Sequence, residues 1–295
     1  MSFHGTYSVM VTPYDAKGEV DVATLERYVD WQINEGIHGL IPLGSTGEFL
    51  SLSDAEQELV AKTVIDRAAK RVPVLIGTGA EDTREVVRLS RRAEKLGADG
   101  VMIIPPFYST PTEDELFHHF KTVGEAVSLP IMIYNNPATA NVDLRPEIVA
   151  RLSEIDTVSY IKESTLEVTR IRDIQRLCGE RMTVFGGILG FESFCEGAAG
   201  WVSVPSNIAP RVMSDIYRLV AEKGDLAGAR ELYRKHFRII DFVAGHYYVA
   251  GAKATLSLMG LPVGLPRPPR LPLPEARMEM ARKLVADFGL SVQGV

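Results

Sequence analysis

The chain has 295 residues, which suits one barrel-sized domain or two ordinary ones. Hydrophobic residues make up 46% and charged residues 24%, a composition that excludes a disordered or low-complexity chain. The net charge of −6 argues against nucleic acid as the main partner. The N-terminus resembles no signal peptide and no apolar run reaches bilayer length, so we expect a cytoplasmic protein with no membrane partner. Cys178 and Cys195, without a CxxC motif, predict neither a disulfide framework nor a metal site.

Eight short apolar runs, rich in β-branched residues, are predicted to be buried strands. They are near-continuous rather than alternating in polarity, as expected where both faces of a parallel sheet are covered. In chain order they are Tyr7–Val11, Gly39–Leu43, Pro73–Gly77, Gly100–Ile104, Pro130–Asn135, Val158–Lys162, Met182–Gly186 and Gly200–Val204.

Amphipathic segments with helix-start signals separate these strands. Ser53 and Glu56 form a predicted capping box, and Asp82 opens a helix that Gly97 closes. Further helices are predicted over Thr112–Ala126, Arg145–Glu154, Val168–Leu177, Pro210–Lys223, Asp225–Phe242, Tyr247–Met259 and Pro274–Phe288. The proline-rich stretch Leu261–Pro274 is interpreted as an ordered extended strap rather than a PxxP ligand.

The alternation of strands and helices predicts an α/β protein, a (β/α)8 TIM barrel with a C-terminal three-helix appendix. Eight strand–helix units recur at a spacing of about 25 to 30 residues, which is typical of such barrels. A doubly wound open sheet is the alternative, but no glycine-rich dinucleotide motif follows the first strand. We therefore expect the barrel over residues 1–223 and a helical extension over residues 224–295.

Lys162 is the strongest chemical signal, because it closes an apolar strand at the end where barrel active sites lie. Burial there would favour the neutral amine, which is the nucleophile that forms a Schiff base with a carbonyl substrate. The alternative is a structural lysine paired with Glu163 or with the next helix.

Hydroxyl groups end the neighbouring strands and could relay protons to such an amine. Tyr134 ends the fifth strand, Ser45 and Thr46 follow the second, and Tyr108 follows the fourth. Taken singly, each could instead be a turn, core or loop-packing residue.

Two glycine-containing loops could bind an anion through converging backbone N–H groups. Gly44-Ser45-Thr46-Gly47 suits a carboxylate or phosphate but lacks the lysine of a P-loop. The loop at Gly186-Gly187 could hold a phosphate, although few cationic residues surround it. His118 and His119 lie in an amphipathic helix and are expected to be surface residues.

Three motifs together resemble the dihydrodipicolinate synthase / N-acetylneuraminate lyase family. They are Gly44-Ser45-Thr46-Gly47-Glu48, Tyr134-Asn135-Asn136-Pro137 and Lys162-Glu163-Ser164, in this order and on successive strand ends. The resemblance spans nearly the whole chain, including the appendix and the strap.

The resemblance implies a class I aldolase-type enzyme that acts on pyruvate or another 2-oxo acid without a cofactor. It assigns the Schiff-base role to Lys162, proton relay to Tyr134 and Ser45, and carboxylate binding to Thr46 with Gly47. Tyr108 matches a relay tyrosine that family members place in a neighbouring subunit's site, which implies a homodimer or homotetramer. Two backbone positions that match the pocket lining are Gly187 and Val202.

Two departures from the family pattern bear on the substrate. The synthase branch carries an arginine two residues after the proline of the tyrosine motif, where it grips a distal carboxylate, but here Thr139 occupies that position. Leu166 replaces a glycine after the lysine motif. The hypothesis from the sequence is therefore a Schiff-base lyase acting on a sugar-acid or hydroxyproline-type intermediate, with 4-hydroxy-tetrahydrodipicolinate synthase as the alternative.

Two interpretations from other classes stay open at this point. One is a catalytically silent barrel that binds a small acid, which the retention of Ser45, Tyr134 and Lys162 argues against. The other is a phosphate-binding barrel isomerase, which the scarcity of cations near Gly186 argues against.

Overall fold

The computed structural model describes residues 2–294. Eight strands form one sheet in the order β2-β1-β8-β7-β6-β5-β4-β3, and the recorded strand pairs are parallel. Almost every strand residue is buried, as in sheets covered on both faces. The strands are β1 Gly5–Val9, β2 Gly39–Ile41, β3 Leu75–Gly77, β4 Gly100–Ile103, β5 Ile131–Asn135, β6 Val158–Glu163, β7 Thr183–Gly186 and β8 Gly200–Ser203.

A parallel bridge from Leu40 in β2 to Val74, which precedes β3, joins the two ends of this strand order. The predicted (β/α)8 TIM barrel is therefore confirmed, and the open doubly wound sheet is not adopted. All eight predicted strands are present, but β1 begins two residues early and β6 continues through Glu163.

Helices follow the strands as the start and stop signals predict. Ser53 and Glu56 form the capping box of α2, and Asp82 caps α3, whose C-terminus ends at Gly97 in the left-handed conformation. The helices are α1 Val22–Asn34, α2 Asp54–Ala68, α3 Thr83–Leu96, α4 Glu113–Gly124, α5 Pro137–Ala140, α6 Pro146–Leu152, α7 Arg170–Cys178, α8 Gly190–Cys195, α9 Pro210–Tyr217, α10 Leu226–Phe242, α11 Tyr248–Leu258 and α12 Glu275–Phe288.

The C-terminal region contains the three predicted appendix helices, α10, α11 and α12. The helix predicted over Pro210–Lys223 is shorter, since α9 passes into a π-helical turn at Arg218–Glu222. The strap between α11 and α12 contains no helix or strand. No helix within residues 2–294 combines the length and hydrophobicity that crossing a bilayer requires.

The chain divides into two compact units. One contains the N-terminal residues through Gly5 together with Leu75–Val202, and therefore carries β3 to β7 and most of β8. The other contains Thr6–Val74 and the chain from Ser203 onward, including α9 to α12. The boundary at residues 223 and 224 stays a prediction.

The prediction that His119 lies at the surface is wrong. His118 is exposed, but His119 is only 4% exposed and faces the interior side of α4. Its Nδ1 lies 2.8 Å from the Thr83 hydroxyl. Two adjacent histidines on an amphipathic helix point about 100° apart, so one of the pair meets the core. Burial lowers the pKa of His119 to about 4.

The buried histidine makes the stability of the fold dependent on pH. The pKa of His119 is about 4 in the folded chain, below the ordinary value of 6.5, so protonation favours unfolding. The neutral histidine contributes about 3 kcal/mol to the free energy of unfolding above pH 6.5. This contribution is lost as the pH falls towards 4. Urea unfolding at several pH values should show a shallower loss in His119→Asn than in the wild type. His118→Asn is the exposed control and should keep the wild-type slope, and an unchanged slope in His119→Asn would contradict this assignment.

Candidate active site

Lys162 lies on β6 beside Tyr134 of β5, in the register that pairs the two residues directly. Residues paired across parallel strands point to the same face of the sheet. The Lys162 side chain is accordingly buried, at 5% exposure, with Nζ 3.8 Å from the centroid of the Tyr134 ring. No carboxylate pairs with Lys162 among the residues that the structure describes. The result is a buried amine next to a phenol, without an acidic partner.

Glu163 does not pair with Lys162, contrary to the alternative in which Lys162 is a structural lysine held by Glu163. Its carboxylate accepts a hydrogen bond from Asn135 Nδ2 at 2.9 Å and another from the Thr165 backbone N–H at 2.7 Å. Burial raises the pKa of Glu163. Asn135 Oδ1 in turn accepts from the Leu144 N–H at 2.9 Å. Glu163 therefore joins the loops after β5 and β6 and leaves the amine free.

An ion pair borders this network. Arg170 Nη2 donates to Asp143 Oδ2 at 2.9 Å and holds the pKa of Asp143 below its usual range. Asp143 directly precedes Leu144, to which Asn135 is bonded. The pair thus fixes the far end of the segment that follows β5.

Tyr134 has a hydrogen-bond partner that the sequence analysis missed. Asn136 Nδ2 donates to the Tyr134 hydroxyl oxygen at 2.9 Å. When the phenol oxygen accepts this bond, its own proton stays available to donate elsewhere. The signal was the asparagine doublet in Tyr134-Asn135-Asn136-Pro137, in which Asn135 binds Glu163 and Asn136 binds the Tyr134 hydroxyl.

Gly187 packs where no side chain fits. A Cβ built on it would lie 1.7 Å from Ser164 Oγ and 3.1 Å from the Glu163 carbonyl oxygen. Its N–H donates to that same oxygen at 2.7 Å. Val202 on β8 is fully buried, and its neighbour Trp201 donates from Nε1 to the Gly187 carbonyl at 3.3 Å. The glycine therefore brings the end of β7 against the end of β6.

Ser45, Thr46 and Gly47 form a 3-10 turn after β2. Thr46 and Gly47 are buried, and Ser45 is half-buried. The Gly47 carbonyl accepts from the Thr12 hydroxyl at 2.7 Å, which ties the turn to the segment after β1. The turn thus has a fixed backbone and one partly exposed hydroxyl.

Two predicted residues lie outside any buried cluster of this chain. Tyr108 is 87% exposed, on a loop whose N–H groups at Phe107, Tyr108 and Ser109 all donate to the Glu81 carboxylate. Thr139 is exposed on α5, and its hydroxyl donates to the Asn136 carbonyl at 3.3 Å. Leu166 is also exposed.

Within residues 2–294, no cluster of three or more histidine, cysteine or acidic side chains could hold a metal ion. Cys178 is buried and Cys195 is exposed.

Comparison with known proteins places this geometry in a family. The model of the dihydrodipicolinate synthetase family matches residues 2–287. A 4-hydroxy-tetrahydrodipicolinate synthase of Syntrophobacter fumaroxidans is 37% identical, covering 98% of this chain and 99% of its own. A second such synthase, from Nitrobacter hamburgensis, is 38% identical, and the match covers 98% of this chain and 97% of the relative's length. The chain belongs to the dihydrodipicolinate synthetase family and is a lyase.

Solved structures agree with this assignment. The dihydrodipicolinate synthase of Acinetobacter baumannii, crystallised with pyruvate, has a TM-score of 0.94 and 35% identity, covering 98% of this chain and all of its own. A monomeric dihydrodipicolinate synthase variant has a TM-score of 0.93 and 32% identity, covering 98% of this chain and 97% of its own. The fold is therefore shared over nearly the full length.

The contact at Gly187 generates a test of how tightly the site is packed. Gly187→Ala should lower the free energy of unfolding by about 1 to 3 kcal/mol, because the new methyl group overlaps Ser164. Adding Ser164→Gly should restore part of the loss, since it removes the obstructing side chain. Gly251→Ala in α11 is the control, because a Cβ there meets Phe242 at an ordinary 3.4 Å. Equal stability of Gly187→Ala and the wild type in urea would contradict the packing.

Proposed function

We propose that this chain is a pyruvate-condensing Schiff-base enzyme of the 4-hydroxy-tetrahydrodipicolinate synthase type. The observation that carries the proposal is the buried, carboxylate-free Lys162 amine, 3.8 Å from the Tyr134 ring centroid. The names of the two relatives and the pyruvate in the Acinetobacter baumannii crystal support it.

In the proposed chemistry, Lys162 Nζ attacks the keto carbon of pyruvate and the resulting carbinolamine loses water to give a protonated imine. The imine withdraws electrons, so a proton leaves the methyl carbon and an enamine forms. The enamine carbon then adds to the aldehyde carbon of the second substrate. Tyr134, held by Asn136, supplies and removes protons at the carbinolamine, with Ser45 and Tyr108 as further relay groups.

Binding of the 2-oxo acid is assigned to the turn after β2 and to the backbone around it. The Thr46 hydroxyl lies on this short turn and is a suitable donor to a carboxylate, whereas the Gly47 and Glu48 N–H groups donate to the carbonyls of Gly44 and Ser45 and hold the turn in shape. Gly187 and Val202 line the proposed pocket, and Thr139 stands where the second substrate's distal group would bind.

We further propose that the enzyme assembles as at least a homodimer. A tyrosine that is 87% exposed can serve a second copy's site, and Tyr108 sits on a loop already fixed by Glu81. A homotetramer, a cytoplasmic location and the absence of a cofactor stay predictions.

Imine trapping tests the nucleophile. Wild-type chain treated with pyruvate and sodium borohydride should gain the mass of one reduced pyruvate on the peptide that contains Lys162, and Lys162→Ala should gain none. Lys121→Ala, which removes an exposed lysine of α4, should trap like the wild type. An unmodified wild-type chain would favour the catalytically silent barrel.

A second candidate function is supported by Thr139, since no arginine is present there to bind a distal carboxylate. That candidate is a lyase acting on a sugar-acid or hydroxyproline-type intermediate. The comparisons favour the synthase over this candidate, against the preference drawn from the sequence.

Turnover with aspartate semialdehyde decides between the two candidates. The synthase predicts condensation of pyruvate with aspartate semialdehyde in a coupled assay. Thr139→Arg should raise kcat/KM for that aldehyde by about tenfold or more, because it adds a charged hydrogen-bond donor. Thr139→Gln is the uncharged control and should change little. Cleavage of sugar acids without any condensation would select the second candidate.

A further inference from the structure

A second buried lysine lies behind the Ser45–Gly47 turn. Lys253 on α11 places Nζ 2.7 Å from Glu48 Oε1, and the two side chains are 1% and 0% exposed. Burial lowers the pKa of Lys253 to about 8, and the Glu48 carboxylate opposes that shift. Charged side chains are almost never fully buried unless they are paired, so this pair marks a position that the fold must hold.

Glu48 is the residue that ends the turn. Its backbone is left-handed, with φ 58 and ψ 35, and its N–H donates to the Ser45 carbonyl at 3.2 Å. A residue other than glycine is uncommon in this region and needs compensating contacts. Glu48 Oε2 accepts from the Arg267 N–H at 2.8 Å, so both carboxylate oxygens are held by the C-terminal chain.

The same C-terminal segments contact the turn at other points. The Tyr248 hydroxyl donates to the Ser45 carbonyl at 3.4 Å, and Arg267 Nη1 donates to the Ser51 carbonyl at 2.8 Å. Tyr14 separates the two cations, with Lys253 Nζ at 3.9 Å and Arg267 Cζ at 4.4 Å from its ring centroid. Both ends of the stretch from Ser45 to Ser51 are therefore tied to α11 and the strap.

We propose that Glu48 and Lys253 are positioning residues that hold the Ser45–Thr46 turn in its 2-oxo-acid-binding conformation. This inference rests on the proposed function, in which that turn binds the substrate carboxylate. The pair does not touch substrate. It acts by fixing the left-handed residue that closes the turn, so the three-helix appendix becomes part of the active-site framework.

Stability alone does not require this arrangement. A buried ion pair often contributes little compared with apolar side chains of similar size, because removing both charges from water is costly. A pair with only a stabilising role could therefore be replaced by two neutral groups without effect on the turn. A positioning pair could not, since the neutral groups would no longer fix the carboxylate against Lys253 and Arg267.

Kinetic trapping separates these two roles. The double variant Glu48→Gln/Lys253→Met removes both charges at similar volume, and Lys253→Met alone leaves Glu48 unpaired. We expect the pyruvate concentration for half-maximal borohydride trapping to rise about tenfold or more in the double variant, with a smaller fall in the rate at saturation. Arg238→Met is the control, because it breaks a half-exposed ion pair to Asp287 between α10 and α12. A folded double variant that traps with wild-type half-saturation would overturn the proposal.

Hydrogen exchange tests the turn without any substrate. Amides of residues 45–52 should exchange faster in the double variant than in the wild type, while those of α3 and α4 stay unchanged. Unaltered exchange in residues 45–52 would also reject the positioning role. If the wild type fails to trap pyruvate, the proposed function fails, and the exchange measurement still decides whether the pair fixes the turn.

Discussion

The site depends on keeping one lysine buried without giving it a carboxylate. A buried ammonium normally acquires an acidic partner, because an unpaired charge in the interior is costly. Lys162 has Glu163 as its sequence neighbour, yet alternation along β6 sends the two side chains to opposite faces of the strand. What faces Lys162 instead is the Tyr134 ring, which offers a cation–π contact and carries no carboxylate.

Glu163 is kept away from the amine by polar groups on the other face. Asn135 satisfies one of its oxygens and the Thr165 N–H another, and Asn135 also binds the Leu144 N–H. One buried amide thereby orders the segment that follows β5 and the loop that follows β6. The two asparagines after Tyr134 have different partners. Asn135 fixes the loops, and Asn136 donates to the Tyr134 phenol oxygen.

The sequence was sufficient where the signal was local or periodic. Apolar runs predicted the eight strands, and the position of Lys162 at a strand end predicted its burial. His119 was mispredicted because both adjacent histidines were assigned together to the outer side of the amphipathic helix. The Glu48–Lys253 pair joins residues about two hundred positions apart, and the partner of Asn136 depends on side-chain direction. The first of these contacts is set by tertiary packing, which no spacing rule in one sequence encodes.

Within residues 2–294, the two buried lysines, Lys162 and Lys253, have different partners. Lys253 Nζ meets Glu48 at 2.7 Å and a backbone carbonyl, that of Leu265, at 3.2 Å, so its polar contacts are fixed. Among the described residues no carboxylate pairs with Lys162, and its Nζ lies 3.8 Å from the centroid of the Tyr134 ring. A lysine's role in this protein therefore depends on its partners rather than on burial. Under the proposed function, Lys253 fixes the turn that is assigned to the substrate carboxylate, so α11 contributes to substrate binding as well as to stability.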